Sequence, residues 1–124
     1  MELSPIVFNG RQFIQSYNNG KFQISGQQFY GSVIIFPEKT IEWDVSTYKF
    51  ISIKNLKPVT ELYNDVDLLL IGCGTKFVPR PDKLHSTLKD INITLEWMDT
   101  GAACRTFNVL LSEERRVVAA LVAT

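Results

Sequence analysis

Reactive side chains are scarce in this sequence. Its 124 residues include one histidine, His85, and two cysteines, Cys73 and Cys104. Two cysteines cannot make a disulfide scaffold, and they fit a reducing compartment better. Two Cys and one His without paired spacing do not make a zinc-ligand set either, so no metal and no cofactor are expected. A thiol enzyme needs a base beside its sulfur. His85 is the one histidine to supply it, and it follows Leu84 in a segment read as a helix facing solvent. Long apolar runs are also missing. The longest uncharged stretch, Phe22 to Pro37, holds three Gln and two Gly and stops short of a membrane span. The start Met1-Glu2-Leu3-Ser4 shows no secretory signal and no Arg-rich transit segment, so the cytoplasm is the expected compartment.

An excess of charge of either sign is absent as well. Thirteen basic residues balance thirteen acidic ones, and six of the former and five of the latter fall in residues 1–62. That evenness argues against nucleic-acid partners and against an anionic membrane, both of which usually meet a basic stripe. What is present is a 45% hydrophobic, 21% charged chain, the composition of a globular protein. The length suits one domain over residues 1–124.

Local patterns predict the elements. Phe13–Tyr17 and Lys21–Ile24 flank Asn18-Asn19-Gly20 and read as a hairpin. Gly31–Phe36 is β-branched and stopped by Pro37, and a short strand follows over Thr40–Asp44. Ser46 to Leu56 is ambiguous: Ser46 suits a helix cap, yet Ile51-Ser52-Ile53-Lys54 alternates like a strand. Pro58, Val59, Leu62 and Tyr63 suit a short helix. Val66–Ile71 is a nearly continuous apolar run, the mark of a strand covered on both faces. A helix from Pro81 carries Leu84, Leu88 and Ile91 on one stripe. Ile93–Trp97 is a strand, and Asp99 or Thr100 caps a helix bearing Ala103, Phe107, Leu110 and Leu111. Arg115–Val122 is the last strand. Strand, helix, strand, helix over 66–112 implies parallel strands joined by a right-handed crossover. Loops after the carboxyl ends of such strands lie side by side. Gly72–Arg80 should therefore approach Met98–Arg105, and any site belongs there.

Each candidate there has a competing structural reading. Gly72-Cys73-Gly74 lacks the third glycine of a dinucleotide turn, since position 77 is Phe, and Pro79 and Pro81 delay the helix that would meet phosphate. Tight turning beside another backbone explains the glycines instead. Arg105 lies near a helix start, where the dipole disfavours a cation. It either presents an anion- or partner-binding surface or pairs internally with Asp99 or another carboxylate. Cys104 is either activated by the helix end and Arg105, with Cys73 as a redox partner, or a packed, inert thiol. Glu113–Arg116 reads as a solvated turn, Trp43 and Trp97 as packing residues, and Asp65 and Asp67 lack a second acid pair.

Pro5-Ile6, the hairpin ending at Gly26, Tyr30–Pro37, Leu68–Gly74, Glu96–Thr100 and Ala102–Leu110 form an ordered series. The series resembles the small Mth-like conserved domain, whose relatives include the third assembly factor of mitochondrial respiratory complex I. The resemblance spans nearly the whole chain, is most specific over Met98–Leu110, and is loose from Thr40 to Asn64. It implies a three-layer α/β fold with a mixed central sheet, an N-terminal β-hairpin and a C-terminal βαβαβ unit. The last strand should then run antiparallel to its neighbours, and Ser46–Ile53 should be helical. It also implies no established enzymatic activity and a role in assembly through protein contacts. Gly72, Gly74, Asp99, Thr100, Cys104, Arg105 and Asn108 match the shared motifs without bringing catalytic roles. With Cys73 they are the candidate ligand- or partner-binding residues. The absence of a visible transit peptide departs from the mitochondrial members and points to a bacterial-type, cytoplasmic protein.

The leading expectation is a non-enzymatic interaction module, an accessory or assembly factor for respiratory NADH dehydrogenase. Its partners would be complex I subunits or another assembly factor. The rival is an anion-binding protein or thiol-dependent enzyme with an open cleft between Gly72–Gly74 and Asp99, Cys104 and Arg105. A homo-oligomer is the third option.

Overall fold

The computed structural model describes residues 12–61 and 65–124. Two hairpin turns build the first sheet. β1 (Ile14–Asn18), β2 (Lys21–Ile24) and β3 (Gln27–Tyr30) run antiparallel in sequence order. The turn pairs Asn19-Gly20 and Ser25-Gly26 all have positive φ, the conformation of the two-residue turns that match strand twist. The second turn makes β3, a strand beyond the expected hairpin.

The second sheet has the order β5-β4-β8-β6-β7. β4 (Val33–Ile35) and β5 (Thr40–Glu42) form an antiparallel arm. β6 (Leu68–Gly72), β7 (Thr94–Met98) and β8 (Val117–Leu121) are mutually parallel, with β8 between β4 and β6. The last strand is therefore antiparallel to β4 alone and parallel to β6, which corrects the expectation that it opposes its neighbours. The cause is the crossover from β7, which passes over β6 and delivers β8 in the same direction.

Among the described residues there are three α-helices: α1 (Lys57–Thr60), α2 (Asp82–Asp90) and α3 (Thr100–Ser112). The expected helical residues Leu62 and Tyr63, like Pro5 and Ile6, lie outside the described residues. Ser46–Leu56 forms neither a strand nor a regular helix. It makes two single 3-10 turns, Tyr48–Phe50 and Lys54–Leu56, the first capped by Thr47 rather than Ser46. Ile91 falls just past α2 and is 47% exposed, so it leaves the stripe predicted with Leu84 and Leu88. His85 is half-buried rather than solvent-facing.

The central sheet divides the core into two layers. Leu84 and Leu88 of α2 pack with Trp43, Leu69, Ile71 and Trp97 on one side. Ala103, Cys104 and Phe107 of α3 pack with Ile14, Phe22 and Leu70 on the other. Along β8 the side chains alternate, Val118 and Ala120 facing α2 and Val117, Ala119 and Leu121 facing α3. All five residues of β8 are buried, which accounts for the unbroken apolar run.

Candidate functional site

The carboxyl end of β6 meets the start of α3, as the sequence implies, and the carboxyl end of β8 joins them. Gly72 permits the contact. A Cβ there would lie 2.8 Å from the Thr100 Cα, closer than packed atoms come, and a tight 3.1 Å from Leu121 Cδ2. The Thr100 N–H donates to Gly74 O at 2.9 Å, and the Gly74 N–H donates to Thr100 Oγ1 at 3.0 Å. The Thr100 hydroxyl then donates to Val122 O at 2.7 Å. The space between the glycine loop and α3 is thus filled by Thr100, which is fully buried. Asp99 caps α3 by accepting the Ala102 N–H at 2.9 Å. The helix end is served internally, and the open cleft expected between these loops is not formed there.

The two cysteines separate. Cys73 is buried in the α2 layer and its Sγ lies 3.4 Å from Lys76 O, while Cys104 is buried in the α3 layer across the sheet. That placement corrects the reading of them as a redox pair. Burial pushes the Cys104 thiol well above its ordinary range, and the Arg105 charge opposes this only in part. A thiol held protonated in a packed core is a poor nucleophile, so Cys104 is the inert packing residue of the two alternatives.

Arg105 fits neither of its alternatives fully. It is exposed, and its Nη1 donates to the Tyr17 hydroxyl at 3.0 Å. Among the described residues the one ion pair is Arg80–Asp82, and no carboxylate of those residues holds Arg105. The Tyr17 oxygen also rests on Gly101, 2.6 Å from where a Cβ would stand. Asn108 is buried and acts as a substitute strand: Ile14 N–H donates to its Oδ1 at 3.0 Å, and its Nδ2 donates to Ile14 O at 2.9 Å. Gly72, Cys73, Gly74, Asp99 and Thr100 thus converge, whereas Cys104, Arg105 and Asn108 point to the hairpin side of α3.

Open space lies on the other side of the glycine loop. A hollow of about 360 Å³ is bounded by Ser46–Tyr48, Cys73–Lys76 and Val122. A larger one, about 550 Å³, adjoins it through Ser46 and Ala123 and is lined by Tyr30, Glu42, Trp43 and Asp44. This larger hollow was not anticipated from sequence, where Trp43 alone of the four was singled out and read as a packing residue, because it depends on β3, β5 and Ala123 meeting in space. Among the described residues no three His, Cys, Asp or Glu side chains converge as metal ligands.

Residues 14–122 match a family of proteins of unknown function, DUF498/DUF598. The chain is 30% identical over 110 residues to the Xenopus tropicalis NADH dehydrogenase [ubiquinone] 1 alpha subcomplex assembly factor 3, covering 89% of this chain and 60% of that protein. It therefore spans about 60% of the length of that assembly factor. An uncharacterized protein of Rhodobacter capsulatus is 36% identical over 92% of this chain and 86% of its own. A Bartonella henselae structure described as an outer membrane protein has a TM-score of 0.84 at 36% identity, covering 94% of this chain and 98% of that one. Among the described residues of the present chain, no helix is long and apolar enough to cross a membrane. A Mth938-like domain of Bordetella pertussis has a TM-score of 0.79 at 23% identity, covering 98% of this chain and 92% of that one, and shares the fold. The chain belongs to the DUF498/DUF598 family and has the Mth938-like α/β fold.

Proposed function

We propose that this protein is a non-enzymatic interaction module that assists assembly of respiratory complex I by binding a subunit or another assembly factor. One observation carries the reading: the similarity to NADH dehydrogenase assembly factor 3 runs across 89% of this chain. The use made of its polar side chains supports it. Thr100, Asp99 and Asn108 are committed to the backbone of their own fold, and both thiols are buried. The free thiols accord with a reducing, cytoplasmic location. The decisive experiment is deletion of the gene in its own organism, with assembled complex I measured by native gel and NADH-oxidising activity. Assembled complex should fall, and the tagged protein should co-purify with complex I subunits or another assembly protein. Unchanged complex I together with no such co-purification would remove the proposal.

A further inference from the structure

The backbone running from β3 into β4 has a strand along part of its outer side only. Gly31 N–H donates to Gly20 O at 2.8 Å, so Gly31 faces β2. Alternation turns its neighbours the opposite way. Ser32 O accepts the Trp43 N–H at 2.9 Å from the β5 side, and by the same alternation Tyr30 and Gln28 direct their N–H and C=O groups to that side. The chain leaves this line after Trp43, where the Val45 N–H turns back to Trp43 O at 2.9 Å. Beyond that point no described strand pairs with β3, and Gln27, Gln28 and Tyr30 are exposed.

The other sheet edges are blunted, and this one is not. β1 breaks register between Ile14 and Ser16, and Asn108 occupies its Ile14 backbone. β5 has three residues and carries Glu42, and β7 carries the exposed Glu96. β3 has an unbroken register and no charge, proline or bulge, the devices that keep edges from pairing. Where β5 departs, the hollow of about 550 Å³ holds the exposed carboxylates of Glu42 and Asp44 beside Tyr30 and Trp43. Among the described residues no cation lines it and neither carboxylate is in an ion pair.

We infer that the outer edge of β3 and this groove bind an extended, basic segment of a partner protein by strand addition. The guest backbone continues the line of β5, antiparallel to β3, and bonds to Gln28 and Tyr30. Its Lys or Arg side chains meet Glu42 and Asp44, and the exposed Tyr30 ring offers a cation its face. A second copy of this chain is a poorer occupant, because β3 paired to β3 brings no cation to these carboxylates. The inference gives the interaction reading its docking surface and partner chemistry, and rests on that reading only for the partner being a protein.

Binding of labelled synthetic peptides to the purified protein, read by fluorescence anisotropy at low ionic strength, tests it. An alternating Lys/Val peptide should bind at least about tenfold more tightly than its Glu/Val counterpart, or than a Lys/Val peptide N-methylated at alternate residues. Gln28→Pro, which removes an outward N–H, should weaken binding by about tenfold, while Gln28→Ala changes it little. Glu42→Lys with Asp44→Lys, both at exposed sites, should abolish the charge preference. Equal binding of the acidic and basic peptides, indifference to N-methylation, or no binding overturns the inference. So does a homodimer dissolved by Gln28→Pro in a protein that ignores peptides. Loss of complex I in the deletion strain alongside failed peptide binding would refute this surface and leave the assembly role standing; the reverse pattern would do the opposite.

Discussion

The hydroxyl of Thr100 accepts the Gly74 N–H and donates to Val122 O, so one side chain ties the ends of β6 and β8 to the start of α3. It can do so only because Gly72 has no Cβ to hold the helix away. A few residues further on, Cys104 shows how position decides chemistry. A thiol in the first turns of a helix and next to an arginine is the usual setting for a reactive cysteine, but desolvation outweighs both effects here and raises its pKa. The unfolded chain therefore releases this proton at a lower pH than the folded one does. Stability from the neutral thiol is fully present below the ordinary value of 9.0 and declines as pH rises past it. One proton held only by the folded state gives a slope of up to about 1.4 kcal/mol per pH unit. Urea unfolding from roughly pH 8 to 11 should thus show the wild type losing stability more steeply than Cys104→Ala. Parallel curves for the two proteins would mean that the thiol is not held neutral.

At the scale of elements, α3 is the post on which the N-terminal sheet is mounted. Ala103, Cys104, Phe107 and Leu111 make its buried face, and Asn108 completes the backbone of Ile14 as a neighbouring strand would. Asn108→Ala leaves a buried N–H and C=O unpaired and is expected to cost about 2–3 kcal/mol. Hydrogen exchange should locate the effect, with amides of Ile14–Ile24 exchanging faster while those of β6 and β8 change least. Uniform acceleration across the chain would mean that Asn108 does not act on the hairpin in particular. Elements with strong local signals were legible from sequence: the apolar run of β6, the Leu84–Leu88 stripe of α2 and the start of α3 at Asp99 or Thr100, of which Asp99 is the cap. β3 was not, because Gln27-Gln28 has no apolar alternation and only the Ser25-Gly26 turn announces it. Residues 46–56 were illegible for a different reason. Their path is held by Asn55, whose Nδ2 donates to Phe50 O at 2.6 Å and whose O accepts Trp43 Nε1 at 2.9 Å, and such side-chain ties leave no period in the sequence.

Over the whole molecule, two core layers share one sheet, and both tryptophans lie in the α2 layer. A defect in the α3 layer should therefore be felt across the sheet. Phe107→Ala is expected to cost about 3–5 kcal/mol and to shift the urea midpoint of tryptophan fluorescence and of far-ultraviolet circular dichroism together. Separate midpoints would show the layers unfolding independently. Charge behaves similarly at this scale: a net charge of zero conceals a groove in which the described lining residues include two acids and no cation. Sequence by itself determined the α/β class, the parallel β6–α2–β7 unit and the approach of the glycine loop to Met98–Arg105. These follow from local periodicity, turn chemistry and the handedness of crossovers, which a linear pattern carries. Only tertiary structure decided that β8 is parallel to β6, that Thr100 closes the expected cleft, that Cys73 and Cys104 face opposite layers, and that the open groove lies beside β3 and β5. Each depends on which face of the sheet a residue meets and on what arrives there from a distant part of the chain, and neither is encoded in spacing.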